Sequence, residues 1–328
     1  MPTALRRRRL PPTLAAALKR YLVEVSAAKK GAVSERSIAK AWQATRLANR
    51  PVDRITNTDI IEVRDAWLAD RASGTVVRRL AFLSHVYTVL RKDWGWRSLA
   101  NPVQLVRRPS VNDSRDRRLF DQIRLRGVPC PKDELAWIIQ ATKSLELPTI
   151  LTMAVETGMR RSEIIQIRRE NLDLQHGLVY LPDTKNGHAR TVPLTPVAKE
   201  TLRRWVVGKP LRGRIFTMRA GSVTRAFIRA RLRARKRYEA LCRFHGRRPN
   251  TAYFADLRLH DLRHEAISRL ASVFQIHDLA KVAGHRDTRM LLRYYHPDGR
   301  YLVHQITRSQ LGRRQLEQLR EERQLLVA

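Results

Sequence analysis

Acidic residues are scarce in this chain: 30 Asp and Glu stand against 65 Lys and Arg, a formal net charge of +35 on 328 residues. Cysteine is scarcer still. Cys130 and Cys242 alone make neither a disulfide framework nor a zinc-ligand pattern, which points to a reducing setting and no structural metal. No run approaches the roughly 18 apolar residues needed to span a membrane. The Arg6 to Arg9 run is followed by Pro11-Pro12, not by the apolar stretch of a secretion signal. The expectation is a soluble cytoplasmic protein, nucleoid-associated when bound to DNA, with a basic N-terminal arm over 1–12.

The positive charge is not a tail. Residues 1–110 hold 22 basic and 8 acidic side chains, and the remainder holds 43 and 22. Two basic halves suit a clamp around a polyanion whose grip weakens steeply with salt. Charge alone leaves open a ribosome-associated or RNA-binding protein.

Helical periodicity dominates the first hundred residues. Leu14, Leu18, Leu22 and Val25 share a face, as do Ile60, Val63 and Trp67, and then Leu80, Leu83, Tyr87 and Leu90. Ser34, Thr56 and Ser73-Gly74 signal helix starts, and Pro51 separates two of the helices. These features predict a bundle of about four helices over 13–105, with Trp94 and Trp96 as core anchors. Residues 106–130 turn to Pro, Asp and Arg and read as a linker. A second domain is expected over 131–310, its first helix opening at Asp133-Glu134, followed by a C-terminal helix over 311–328. Strand character is clear only at 177–181 and 190–194. These flank Thr184-Lys185-Asn186-Gly187-His188, whose Asn-Gly turn predicts a β-hairpin or small sheet. The fold class is therefore mainly α with a small β-sheet, in two domains.

Several residues can do chemistry. Phosphodiester transfer spreads charge over non-bridging oxygens, and planar guanidinium groups match those oxygens two at a time. Arg160 follows a Thr157-Gly158 turn at the start of a helix read as 161–168, and Glu163 shares its face and can hold it. His260 and Arg263 stand three apart on another helical face, with the adjacent His264 read as pointing elsewhere. His285 follows Gly284 and can donate to a phosphate oxygen. Lys185 suits a general acid, although Lys-Asn-Gly is also an ordinary polar turn. Tyr294 is a candidate nucleophile, its phenol needing cations or a base because its ordinary pKa is about 10. Tyr295 rivals it by residue type. A basic helix over 222–242 presents Arg225, Arg229, Arg233 and Lys236 as candidate DNA contacts.

The ordered set of TGxRxxE, a Lys-bearing hairpin, HxxR, and Gly-His with a Tyr nine residues on resembles the tyrosine recombinase (phage integrase) family, over nearly the whole chain. The resemblance implies a helical core-binding domain and an α+β catalytic domain. It casts Arg160, Lys185, His260, Arg263 and His285 as catalytic, Glu163 as supporting, and Tyr294 as the nucleophile of a 3′-phosphotyrosyl intermediate. The nine-residue offset and the Tyr294-Tyr295-His296 ending select Tyr294. Stretches such as Asn101 to Arg107 and Leu181 to His188 are most similar to shufflon-type DNA invertases. Residues 120–130 and 243–256 depart from that pattern as insertions. The implied partner is double-stranded DNA bearing paired recombination sites, bound by a homotetramer that is monomeric or weakly associated when free, with accessory DNA-bending proteins. Neither metal nor cofactor is implied. Two other readings stay open: a type IB topoisomerase, and a non-catalytic DNA-binding regulator on the same fold.

Overall fold

The computed structural model describes residues 10–325 except 113, 114, 116, 124, 126, 183–188, 286 and 296–298, with backbone alone at 300–302, 321 and 323–325. The chain divides into two compact units, residues 1–115 and 116–328.

The first unit holds α1 (Leu14–Tyr21), continued by a π-turn to Ser26, then α2 (Ala32–Gln43), α3 (Asn57–Leu68) and α4 (Ser73–Lys92). Local chemistry sets the starts. Thr13 Oγ1 accepts from Ala16 N at 3.2 Å, and Thr56 and Asp59 form a reciprocal capping box. Ser34 lies inside α2 and Ser73 is the first residue of α4, so neither caps its helix with a side-chain hydrogen bond. Leu14, Leu18, Ile60, Leu80, Leu83 and Leu90 are fully buried together with Trp42, whose Nε1 donates to Arg79 O at 3.0 Å. Each such aliphatic side chain stabilises the fold by about 1.5–3 kcal/mol. Trp94 and Trp96 pack at the edge of this core, only partly buried, with the Arg20 guanidinium 4.2 Å above the Trp94 ring.

The second unit opens with α5 (Glu134–Ala141), α6 (Leu147–Thr157) and the one-turn helix α7 (Arg161–Ile164). The helix expected over 161–168 stops after that turn. A three-stranded antiparallel sheet follows, in the order β1 (Leu172–Asp173), β2 (Leu178–Leu181), β3 (Arg190–Pro193), with Val179 opposite Val192. The expected hairpin is thus the larger part of a small sheet, and its turn lies outside the described residues. Then come α8 (Pro196–Trp205), α9 (Ala220–Phe244), α10 (Leu259–Leu270), α11 (Ile276–Ala283), α12 (Arg289–Leu292), α13 (Gly299–Arg308) and α14 (Gln310–Leu325).

The core gathers Ile138, Leu147, Leu151, Ile164, Val179 and Phe227, with α6 packed on α8 and α10, and α5 on α9. Residues 117–130, read from sequence as linker, carry part of this core: Ile123 is 1% exposed and Leu125 8%. The fully buried Glu134 carboxylate draws the segment in. It takes Arg117 Nη2 at 2.5 Å, Phe120 N at 3.0 Å and Phe254 N at 2.6 Å, so both stretches read as insertions are tied to one acceptor. A buried carboxylate persists only with partners of that kind.

Candidate active site

Helix α6 ends at Thr157, and Gly158 turns the chain with φ +64°. A Cβ there would lie 3.3 Å from Ile267 Cγ1 on α10, so glycine serves both the left-handed turn and the close approach. The turn delivers Arg160 to the cap of α7. Glu163 accepts from Arg160 N at 2.7 Å and from Arg160 Nη1 at 2.9 Å, the support expected from their spacing. A second arginine reaches the same carboxylate. Arg190, the first residue of β3, donates to Glu163 Oε1 at 3.0 Å and Oε2 at 2.8 Å. Burial pushes the Glu163 carboxyl up, but the hydrogen bonds and charges of Arg190 and then Arg160 outweigh it, and its pKa falls below the usual carboxylate range.

The last turn of α11 organises the cations. Three successive carbonyls each accept from one arginine: Val282 O from Arg190 Nε at 3.0 Å, Ala283 O from Arg263 Nη2 at 2.6 Å, and Gly284 O from Arg160 Nη2 at 2.9 Å. Carbonyls at a helix C-terminus lack partners in their own helix and form the negative end of its dipole, a fitting seat for guanidinium groups. Gly284 caps the helix with φ +67°. A Cβ on it would come within 2.7 Å of Arg190 Nη1 and 3.2 Å of Arg160 Nη1, which accounts for glycine before His285.

Arg263, on α10 and 4% exposed, also bonds Gly158 O. Burial, with the charge of Arg160 second, lowers its pKa to about 10, so it stays a cation at neutral pH. Its Nη2 lies 3.0 Å from His285 Nε2. Guanidinium can only donate, so His285 accepts there and carries its proton on Nδ1. That Nδ1 is buried and has no partner among the described residues. Burial and the nearby Arg263 and Arg160 hold the His285 pKa at about 4. His260, one turn before His264, is likewise pushed below its ordinary value by burial and Arg263.

Tyr294 Oη is hydrogen-bonded to His264 Nδ1, and the Arg293 guanidinium lies 5.4 Å from the Tyr294 ring centre. The expectation that His264 points elsewhere is corrected: four residues separate it from His260, so both face the same side of α10, their rings 4.8 Å apart and edge to face. Burial, then His260 and Arg293, lower the His264 pKa to about 4, which leaves a neutral ring able to accept the phenolic proton. Tyr295 is exposed. Lys185 lies outside the described residues.

Arg160, His260 and Arg263 also line a cavity of about 730 Å³, together with Phe227, Ile228 and Leu257. Of the four candidate DNA contacts on α9, Arg225, Arg229 and Lys236 are exposed, while Ala226, Ala230 and Ala234 of the same helix are buried. Arg233 is half-buried and its Nε donates to Ala141 O at 2.7 Å, fastening α9 to α5. Sequence reasoning missed Arg190 and His264. The spacing from His260 signalled the second; nothing local signalled the first.

Residues 130–300 match the model of the phage integrase family. A shufflon-specific DNA recombinase of Escherichia coli is 36% identical over 294 residues, which is 87% of this chain and 69% of that relative. Among solved structures, the Tn1549 transposon integrase in complex with a circular intermediate DNA superposes with a TM-score of 0.64 at 16% identity, over 91% of this chain and 100% of that one. A lambda integrase tetramer bound to a Holliday junction gives 0.62 at 18% identity, over 87% and 78%. These two likenesses establish a shared fold.

Proposed function

The chain belongs to the phage integrase family, and from that membership we propose that it is a site-specific recombinase that cuts and rejoins DNA through a 3′-phosphotyrosyl bond to Tyr294. The observation that carries the residue roles is convergence: Arg160, Arg263 and His285 meet at the C-terminal end of α11, while the Tyr294 phenol rests on His264. Arg160 and Arg263 hold the non-bridging oxygens of the scissile phosphate, with His285 seated against Arg263. Tyr294 Oη forms the new P–O bond as its proton passes to neutral His264, with His260 behind that ring. The 5′-oxygen leaves and takes a proton from Lys185. The phosphotyrosyl link keeps the energy of the broken diester, so religation is the same step reversed.

The DNA partner is a pair of recombination sites held by a homotetramer through a Holliday junction, with accessory bending proteins at some sites. Arg225, Arg229 and Lys236 on α9 meet the DNA backbone. Similarity to a shufflon-specific enzyme makes inversion of a DNA segment the first outcome to test, ahead of integration and excision. Exposed Leu311, Leu316 and Leu319 on α14 suit docking on a neighbouring protomer.

The test is a library of nicked duplexes with randomised arms, with covalent protein–DNA complexes recovered after denaturation. An adduct lost in Tyr294→Phe and kept in Tyr295→Phe supports the assignment; the reverse moves the nucleophile by one residue. Binding without any adduct would leave a regulator in place of a recombinase.

A further inference from the structure

Among the described residues, Arg190 is the one arginine at the α11 terminus with no part in the reaction just described. Its side chain is 10% exposed and grips three groups at once: both oxygens of Glu163 and the carbonyl of Val282. We propose that Arg190 is a positioning residue, which occupies the Glu163 carboxylate so that Arg160 is held in place yet keeps its charge for the scissile phosphate. This rests on the recombinase reading above.

The Glu163 carboxylate is divided unequally between the two arginines. Arg160 touches Glu163 through one side-chain hydrogen bond, Nη1 to Oε1, and through its backbone N–H. Arg190 makes the two-pronged contact that guanidinium and carboxylate favour. Without Arg190, Glu163 would be free to close that two-pronged pair on Arg160, cancelling its charge and spending the N–H groups that should face the phosphate. With Arg190 present, one carboxylate is shared by two cations. Arg160 commits only Nη1 and Nη2, one bond each, and keeps three of its five N–H bonds for another acceptor.

A steric contact at Gly284 points the same way. A Cβ on Gly284 would fall 2.8 Å from Arg190 Cζ, so the backbone before His285 lies directly against this guanidinium. Arg190 thereby fixes the surface on which the last carbonyls of α11 rest. It sits on β3 and so ties that strand to the clamp through hydrogen bonds.

The experiment is single-turnover cleavage by the 328-residue chain on two nicked duplexes. One carries an ordinary phosphodiester at the cleavage site, the other a methylphosphonate there, in which a methyl group replaces a charged oxygen. Arg190→Gln should slow cleavage of the diester by about 10²-fold. On the methylphosphonate the gap should narrow, since less charge awaits the clamp. Arg190→Lys, with a point charge but no fork, should lie between. Because Arg190→Gln leaves Glu163 buried beside a weaker partner, the double variant Glu163→Gln/Arg190→Gln serves as a second probe without a buried unpaired charge. It should melt near the wild type and cleave the diester faster than Arg190→Gln, because no carboxylate is left to pair with Arg160. Equal losses on both substrates, or wild-type cleavage of the diester by Arg190→Gln, overturn the proposal while leaving the recombinase reading intact. A wild type that forms no adduct with any duplex overturns both.

Discussion

Replacing Gly284 by alanine separates the cost of a backbone angle from the cost of moving two arginines. The residue has φ +67°, where an L side chain costs about 1–2 kcal/mol. For a domain of this size that lowers Tm by about 2–8 °C. The added methyl must also displace Arg190 Nη1 and Cζ, at 2.7 and 2.8 Å, and press on Arg160 Nη1 at 3.2 Å. Misplacing a reacting group by about 1 Å costs roughly 10²-fold in rate, so cleavage should fall far more than the stability loss explains. Gly208→Ala is the matched control. That residue has φ +71°, and its added methyl would meet none of the described residues within 4 Å, so it should show the same fall in Tm at the wild-type rate. Both variants would be compared by thermal melting and by single-turnover trapping on a nicked duplex. The reasoning fails if Gly284→Ala melts like Gly208→Ala and also forms the covalent adduct at the wild-type rate.

Two further outcomes are expected. His264 and His285 are each held at about 4 in the folded protein, below the ordinary 6.5. The unfolded chain therefore takes up protons first as pH falls, and stability should decline from about pH 6.5 towards 4 and then stop responding to these two groups. Urea midpoints that stay level between those limits, or a slope unchanged in His285→Gln, would count against the assignment. Glu134→Ala leaves Arg117 and two backbone N–H groups without their fully buried acceptor, and should cost about 3–5 kcal/mol. A Tm indistinguishable from the wild type would show that residues 117–120 are not anchored there.

Much of this architecture was legible because it is local. The faces of α1, α3 and α4 repeat at helical spacing, and Thr56 and Asp133 cap the helices they precede. Arg160 and Glu163 meet because three residues on one turn must. Arg190 was illegible for the opposite reason. An arginine opening a strand reads as solvated surface, and only the arrival of Glu163 and Val282 from other elements buries it. His264 could have been placed by counting four residues from His260. Residues 117–130 looked like linker because Pro, Asp and Arg mask two apolar residues, Ile123 and Leu125, that fill the core. The one-turn length of α7 reflects tertiary context: Ile167 turns to pair with Ile215 through its carbonyl, ending a pattern the sequence would have allowed to continue.

Three arginines on three consecutive carbonyls make the end of α11 an all-or-none fixture. A slip of one residue, or the melting of that single turn, would take the α11 carbonyls from Arg190, Arg263 and Arg160 in one event, leaving Arg190 and Arg160 on Glu163 and Arg263 on Gly158 O. An intermediate with half a clamp has little place in such a design. Insertions should be tolerated between the exposed Ser272 and Val273 ahead of the helix, and lethal to cleavage within its final turn.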